Sequence, residues 1–138
     1  MVTPALLDAY LATHYEVKHA ASAFTLHIGQ SSAELLALLQ KTGLTGAAFI
    51  TAWNPHSKPH LQAENRRAQQ RLLEDLQQAG CMVIPAAGVD PDSQWPGEES
   101  VLALGLAQAD AVQLSRKYSQ NAIVWADADA VPQLLFCY

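Results

Sequence analysis

The sequence predicts a single α/β (α+β) domain in three layers, a mixed, mostly parallel sheet of about five to six strands flanked by helices. Three observations predict it. Helix-period and strand-period segments alternate from Ala23 to the C-terminus. Several strand candidates, Ala47-Ala48-Phe49-Ile50 above all, are continuous apolar runs of the kind that sheets covered on both faces require. The length of 138 residues fits one domain spanning residues 1–138 around one core.

The elements follow in order. Residues 4–12 read as a short amphipathic helix, and His14 to Val17 as a short strand or an irregular edge. From Ala23 to Ile28, Phe24, Leu26 and Ile28 alternate with Thr25 and His27, the pattern of a half-buried strand near a sheet edge. Ser31 followed by Glu34 reads as a capping box opening a Leu-rich helix that ends at Gly43. The apolar run from Ala47 ends in Thr51 and Ala52 and predicts a central strand. After the Asn54-Pro55 turn, a helix is expected from about His60 to Ala79, stopping at Gly80. Cys81 to Pro85 predicts a buried strand. The stretch from Ala86 to Ser100 is rich in Gly, Pro and Asp without periodicity, and structureless connections of about 12–15 residues are usually functional. Val101 to Leu106 predicts a third buried strand, Gln108 to Tyr118 a helix, Ala122 to Ala126 a fourth buried strand and Val131 to Tyr138 a closing one.

Composition narrows the function classes. Half of the residues are hydrophobic and 15% are charged, which implies a substantial core and leaves room for a self-association patch. A net charge of −5 argues against nucleic-acid binding through a global basic field. Cys81 and Cys137 form no Cys-x-x-Cys spacing and read as reduced, buried thiols. No stretch reaches the ~18 apolar residues of a membrane span, and the first residues carry no positive leader. The expectation is a cytoplasmic, bacterial-type protein.

Strand-helix-strand connections from Ala23 to Pro85 imply right-handed crossovers, so three strands should end at one edge. If the strand at 101–106 runs antiparallel to them, five segments meet there: Gly29-Gln30-Ser31, Trp53-Asn54-Pro55, the loop starting at Ala86, Glu98-Glu99-Ser100 and Gln120-Asn121. Ligands of open α/β sheets sit at such an edge.

Each polar signal there has a structural and a functional reading. Asn65 interrupts the apolar stripe of Leu61, Ala68, Leu72 and Leu76, so it faces inward and must be hydrogen-bonded; it either ties down the Trp53-Asn54-Pro55 turn or presents its amide to a ligand. Arg66, Arg67 and Arg71, with Lys58, concentrate basic charge near a helix start, where an anion is favoured, although Arg71 can pair with Asp75 on a solvated face. Glu98 and Glu99 could suggest general acid/base work or Mg²⁺, but as neighbours on an extended strand at most one faces the site, and the structural reading is that one carboxylate pairs with Arg66 or accepts backbone N–H bonds. His56 and His60 lack a third ligand at diagnostic spacing, and no metal site is assigned. Ser57 and Ser100 sit in no Gly-x-Ser-x-Gly elbow. Trp53 and Trp95 flank the cleft and could stack on a planar ligand or plug its rim.

Thr51-Ala52-Trp53-Asn54-Pro55, the Asn65-Arg66 helix, Trp95-Pro96-Gly97-Glu98-Glu99-Ser100 and Gln120-Asn121-Ala122 occur in an order that resembles the bacterial family called domain of unknown function 3293. The similarity extends from about Tyr15 to Leu135. It implies a stand-alone small bacterial protein and carries across no reaction, cofactor or catalytic residue.

The leading expectation is a cleft for a small anionic, phosphate-containing or nucleotide-like ligand, lined by Asn54, Asn65, Arg66, Glu99, Ser100, Gln120 and Asn121. A non-enzymatic interaction or self-association module, with these residues as braces, competes with it. A third reading is a hydrolase with Glu99 as general base. No cofactor is assigned.

Overall fold

A computed structural model describes residues 2–19 and 23–137; Tyr138, at the end of the predicted closing strand, lies outside them. The chain runs α1 (Pro4–Ala12), β1 (His14–Val17), β2 (Phe24–Leu26), α2 (Ala33–Thr42), β3 (Ala47–Ile50), a 3-10 turn (Pro55–Ser57), α3 (Gln62–Gln78), β4 (Met82–Val89), β5 (Glu98–Leu104), α4 (Gln108–Lys117), β6 (Ala122–Ala126) and β7 (Gln133–Phe136). The strands form one seven-stranded sheet in the order β2-β1-β4-β5-β3-β6-β7.

That sheet corrects the expected architecture. Every neighbouring pair is antiparallel, and the sheet curls into a half-barrel, so it is not a mostly parallel sheet of five to six strands. The reason is interleaving. The pairings give β2, β3 and β4 the same direction, yet none of them touches another: β1 stands between β2 and β4, and β5 stands between β4 and β3. Right-handed crossovers orient successive strands without fixing which strands are neighbours. The segment read as a short strand or an irregular edge, β1, is a strand, and it lies in the interior of the sheet, paired on both sides.

The stretch expected to be a long loop is also shorter. Strand β4 continues to Val89 and β5 begins at Glu98, with Gly88 opposite Glu98, so the pair forms a hairpin closed by residues 90–97. Helix α2 is capped by Ser32, not Ser31: the Ser32 hydroxyl accepts the Leu35 N–H at 3.1 Å. Its end is set by Gly43, whose φ of 70° lies in the left-handed region that glycine tolerates best.

Strand alternation sorts the core into two layers. On one face, Ala48, Ile50, Val101, Ala103, Ile123 and Trp125 pack against Leu72 and Leu76 of α3 and Ala111 of α4. On the other, Val17, Ile84, Leu102, Leu104 and Ala126 pack with Leu35, Leu38 and Leu39 of α2. Helix α2 has only ten residues, and Tyr15, Phe49, Ser100, Val124 and Leu134, also on its face of the sheet, line a cavity. Helix α1 lines the same cavity with Leu6, Ala9 and Tyr10, a single helical stripe that Thr13 continues. None of the α1 residues is buried.

Candidate functional site

The cavity measures about 600 Å³. Its floor is the sheet, α1 lies along one side, the 51–60 segment and the start of α3 form a second, and Trp95, Pro96 and Gly97 of the β4–β5 connection form a third. Tyr10, Tyr15, Phe49, Trp53 and Trp95 make much of the lining aromatic.

The polar side is built on the turn that follows β3. Thr51 ties the strand end to β5, its hydroxyl donating to the Glu99 carbonyl at 2.6 Å and accepting the Trp53 N–H at 3.0 Å. The Ala52 N–H donates to Gln69 Oε1 at 2.9 Å. Asn54 adopts a left-handed conformation with φ of 46°, and His56 and Ser57 follow at 56° and 59°. Outside glycine such conformations cost about 1–3 kcal/mol each and need surrounding structure to hold them.

Asn65 supplies that hold. Its Oδ1 accepts the Asn54 N–H at 2.8 Å, while its Nδ2 donates to Asn54 Oδ1, also at 2.8 Å. Asn65 is 3% exposed, so both groups would be orphaned without this pairing. The anchoring expected of an amide inside the α3 stripe is therefore realised by two bonds. Asn54 Oδ1 also accepts the His60 N–H at 3.1 Å, which leaves Asn54 Nδ2 free to donate to Glu98 Oε2 at 3.0 Å. Gln120 closes the same corner by donating to the Trp53 carbonyl at 3.1 Å. The Ser57 hydroxyl bonds to the Tyr10 hydroxyl at 2.9 Å and receives the Asn121 amide at 3.2 Å, fastening α1 to the turn.

Among the lining residues Glu98 is the only carboxylate, and no Lys or Arg is present. Burial pushes its carboxyl above the usual glutamate range, with the Asn54 hydrogen bond acting in the opposite sense. Tyr15 is held well above the usual phenol range, chiefly by burial, and its hydroxyl donates to the Tyr10 carbonyl at 2.5 Å. It is a neutral donor already committed to the protein.

The structure sorts the seven expected site residues. Asn54, Asn65, Ser100 and Gln120 line the cavity, whereas Arg66, Glu99 and Asn121 do not. Arg66 is exposed on α3, and Glu98 bonds to Asn54 instead. Glu99 is exposed, and only its backbone carbonyl joins the Thr51 contact. Asn121 acts from behind Ser57. The expected Arg71–Asp75 pair gives way to Lys117 and Tyr118, which bond to Asp75 Oδ2 at 2.8 and 2.5 Å. Glu98, Tyr10 and Tyr15 were not among the expected site residues. Nor was Gln69, although it sits four positions from Asn65 on one α3 face and carries the same signal of a polar residue in an apolar stripe.

Residues 50–123, more than half of the chain, match the family described as Protein of unknown function (DUF3293). The chain belongs to this family. The matched segment holds Thr51, Asn54, Asn65, Glu98 and Gln120, while α1 and Tyr15 lie outside it. No curated protein and no solved structure matches the chain. Among the described residues no helix is long and apolar enough to cross a membrane.

Proposed function

We propose that this family member binds a small organic molecule in the cavity, with its apolar body between the aromatic walls and its polar end at the Glu98 corner. The size and lining suit such a ligand, since small-molecule sites are typically about 300–1,000 Å³, mostly apolar, with a few placed polar groups. The observation that carries the reading is Glu98. Bracing accounts for Asn54, Asn65 and Gln120, whose bonds run to other parts of the protein. It does not account for a carboxylate held at the cavity by a single amide hydrogen bond. The expectation of a phosphate-bearing ligand loses its arginine support, because those side chains stand outside the lining; the α3 N-terminus and His60 are what remain of it there.

A thermal-shift screen of aromatic and aliphatic compounds of each charge, with nucleotides and phosphosugars alongside, tests the proposal. A ligand specific for the folded state at a hundred times its Kd adds about 2.7 kcal/mol of stability. The shift should vanish in Ala9→Phe, which fills the cavity from α1 without touching the sheet core. No shift with any compound, or shifts that survive Ala9→Phe, would sink the reading.

A further inference from the structure

We infer that the ligand is an organic cation, a primary or secondary ammonium group on an apolar body, and that Glu98 is its counter-charge. The inference rests on the cavity being a ligand site. Its geometry starts at Asn54, whose side chain cannot be reversed: Oδ1 is fixed by donors from Asn65 and the His60 backbone, so Nδ2 must face Glu98. That amide takes Oε2 at 3.0 Å. Among the described residues nothing donates to Oε1, which leaves one carboxylate oxygen for a donor carried by the ligand.

Charge then selects among donors. A half-buried carboxylate in a lining without Lys or Arg is costly, and burial already pushes the Glu98 carboxyl up; His60 is the one lining side chain able to carry positive charge, and its Nδ1 faces Glu64 at 3.5 Å. A ligand ammonium supplies the missing charge, whereas an alcohol supplies only a hydrogen bond and a carboxylate or phosphate would be repelled. The aromatic walls act in the same direction. Tyr10, Trp53 and Trp95 line the same cavity as Glu98, and the faces of such rings attract cations.

A matched trio separates these possibilities: phenylbutylamine, phenylbutanol and phenylbutyrate share one apolar body and differ in the charge of the end group. Binding of each to the wild-type protein, Glu98→Gln and Ala9→Phe is measured by ligand-observed NMR near neutral pH. The amine should bind at least about tenfold more tightly than the alcohol, with phenylbutyrate weakest. Glu98→Gln should abolish that preference while alcohol binding persists. Amine affinity should also fall on acidification as Glu98 takes up its proton, and it should fall in the same way in His60→Gln, which removes the other lining group that gains positive charge in acid. If the alcohol or phenylbutyrate binds as well as the amine and Ala9→Phe blocks it, the charge assignment is overturned and the cavity reading stands. If none of the trio binds while the broader screen finds cavity ligands, the ammonium assignment again falls alone. If neither finds a ligand, both fall.

Discussion

The two faces of the sheet are finished differently. On the α3 and α4 side, Leu72, Leu76, Ala103 and Ala111 are fully buried in one apolar cluster, with Gln69 and Ser115 buried on the same helices. On the opposite side α2 seals part of the sheet, and α1 lines a cavity beside it with no residue of its own buried. A helix present only for stability would bury its apolar stripe, since that burial is where most helical stability in proteins comes from. The contrast separates a core that holds the fold from a cover that shapes a space.

The largest test of that contrast compares one leucine from each side. Leu72 is 0% exposed between α3 and the sheet, so Leu72→Ala should cost about 2–5 kcal/mol in urea unfolding. Leu6 already faces a cavity, so Leu6→Ala should cost less than about 1 kcal/mol. Equal losses would make α1 part of the core and break the comparison.

A smaller effect is expected in the net that joins the two sides. Asn65→Ala removes the partner of the Asn54 N–H and one of the two donors to Asn54 Oδ1, leaving the His60 N–H, and releases a left-handed turn, at a cost of about 2–3 kcal/mol. It should also weaken any cavity ligand, because Glu98 receives its hydrogen bond from Asn54. Denaturation and ligand titration of one variant measure both. Lost stability with unchanged binding would detach the net from the cavity.

Which parts of this arrangement were legible in the sequence follows from which rules are local. The inward turn of Asn65 is a matter of helical period alone, and its partner followed from which loop lay near the helix start. Strand directions were legible because helical crossovers and reversals constrain them. Sheet order was not, because it depends on β1, a four-residue strand too short for its alternation to stand out, slipping between β2 and β4. The choice between Glu98 and Glu99 failed for a related reason. The apolar run Val101-Leu102-Ala103-Leu104 is buried on both faces, so its alternation carries no label for inside and outside. Only the cavity on one face distinguishes the even positions, which include Glu98 and Ser100, from the odd ones.

The smallest expected effect is the sharpest, because its sign differs between brace and site. Burial raises the Glu98 pKa above the usual 4.5, so the folded chain holds this proton more tightly than the unfolded one. For such a group, the stability contribution is fully present below the unfolded pKa and is lost as pH rises through the folded value. Asp75 is shifted the other way by its bonds to Lys117 and Tyr118, and its contribution is lost as pH falls. That term is common to the wild-type protein and Glu98→Gln and cancels in their difference. The difference should therefore be small at acidic pH and should grow in favour of Glu98→Gln as pH rises above the unfolded pKa. Near neutral pH the variant should be the more stable, with the higher Tm, the usual sign when a functional group is held at a cost to the fold. Melting curves across that pH range measure it without any ligand. A variant less stable at neutral pH would mean that Glu98 supports the net through Asn54, and would return the whole polar corner to bracing.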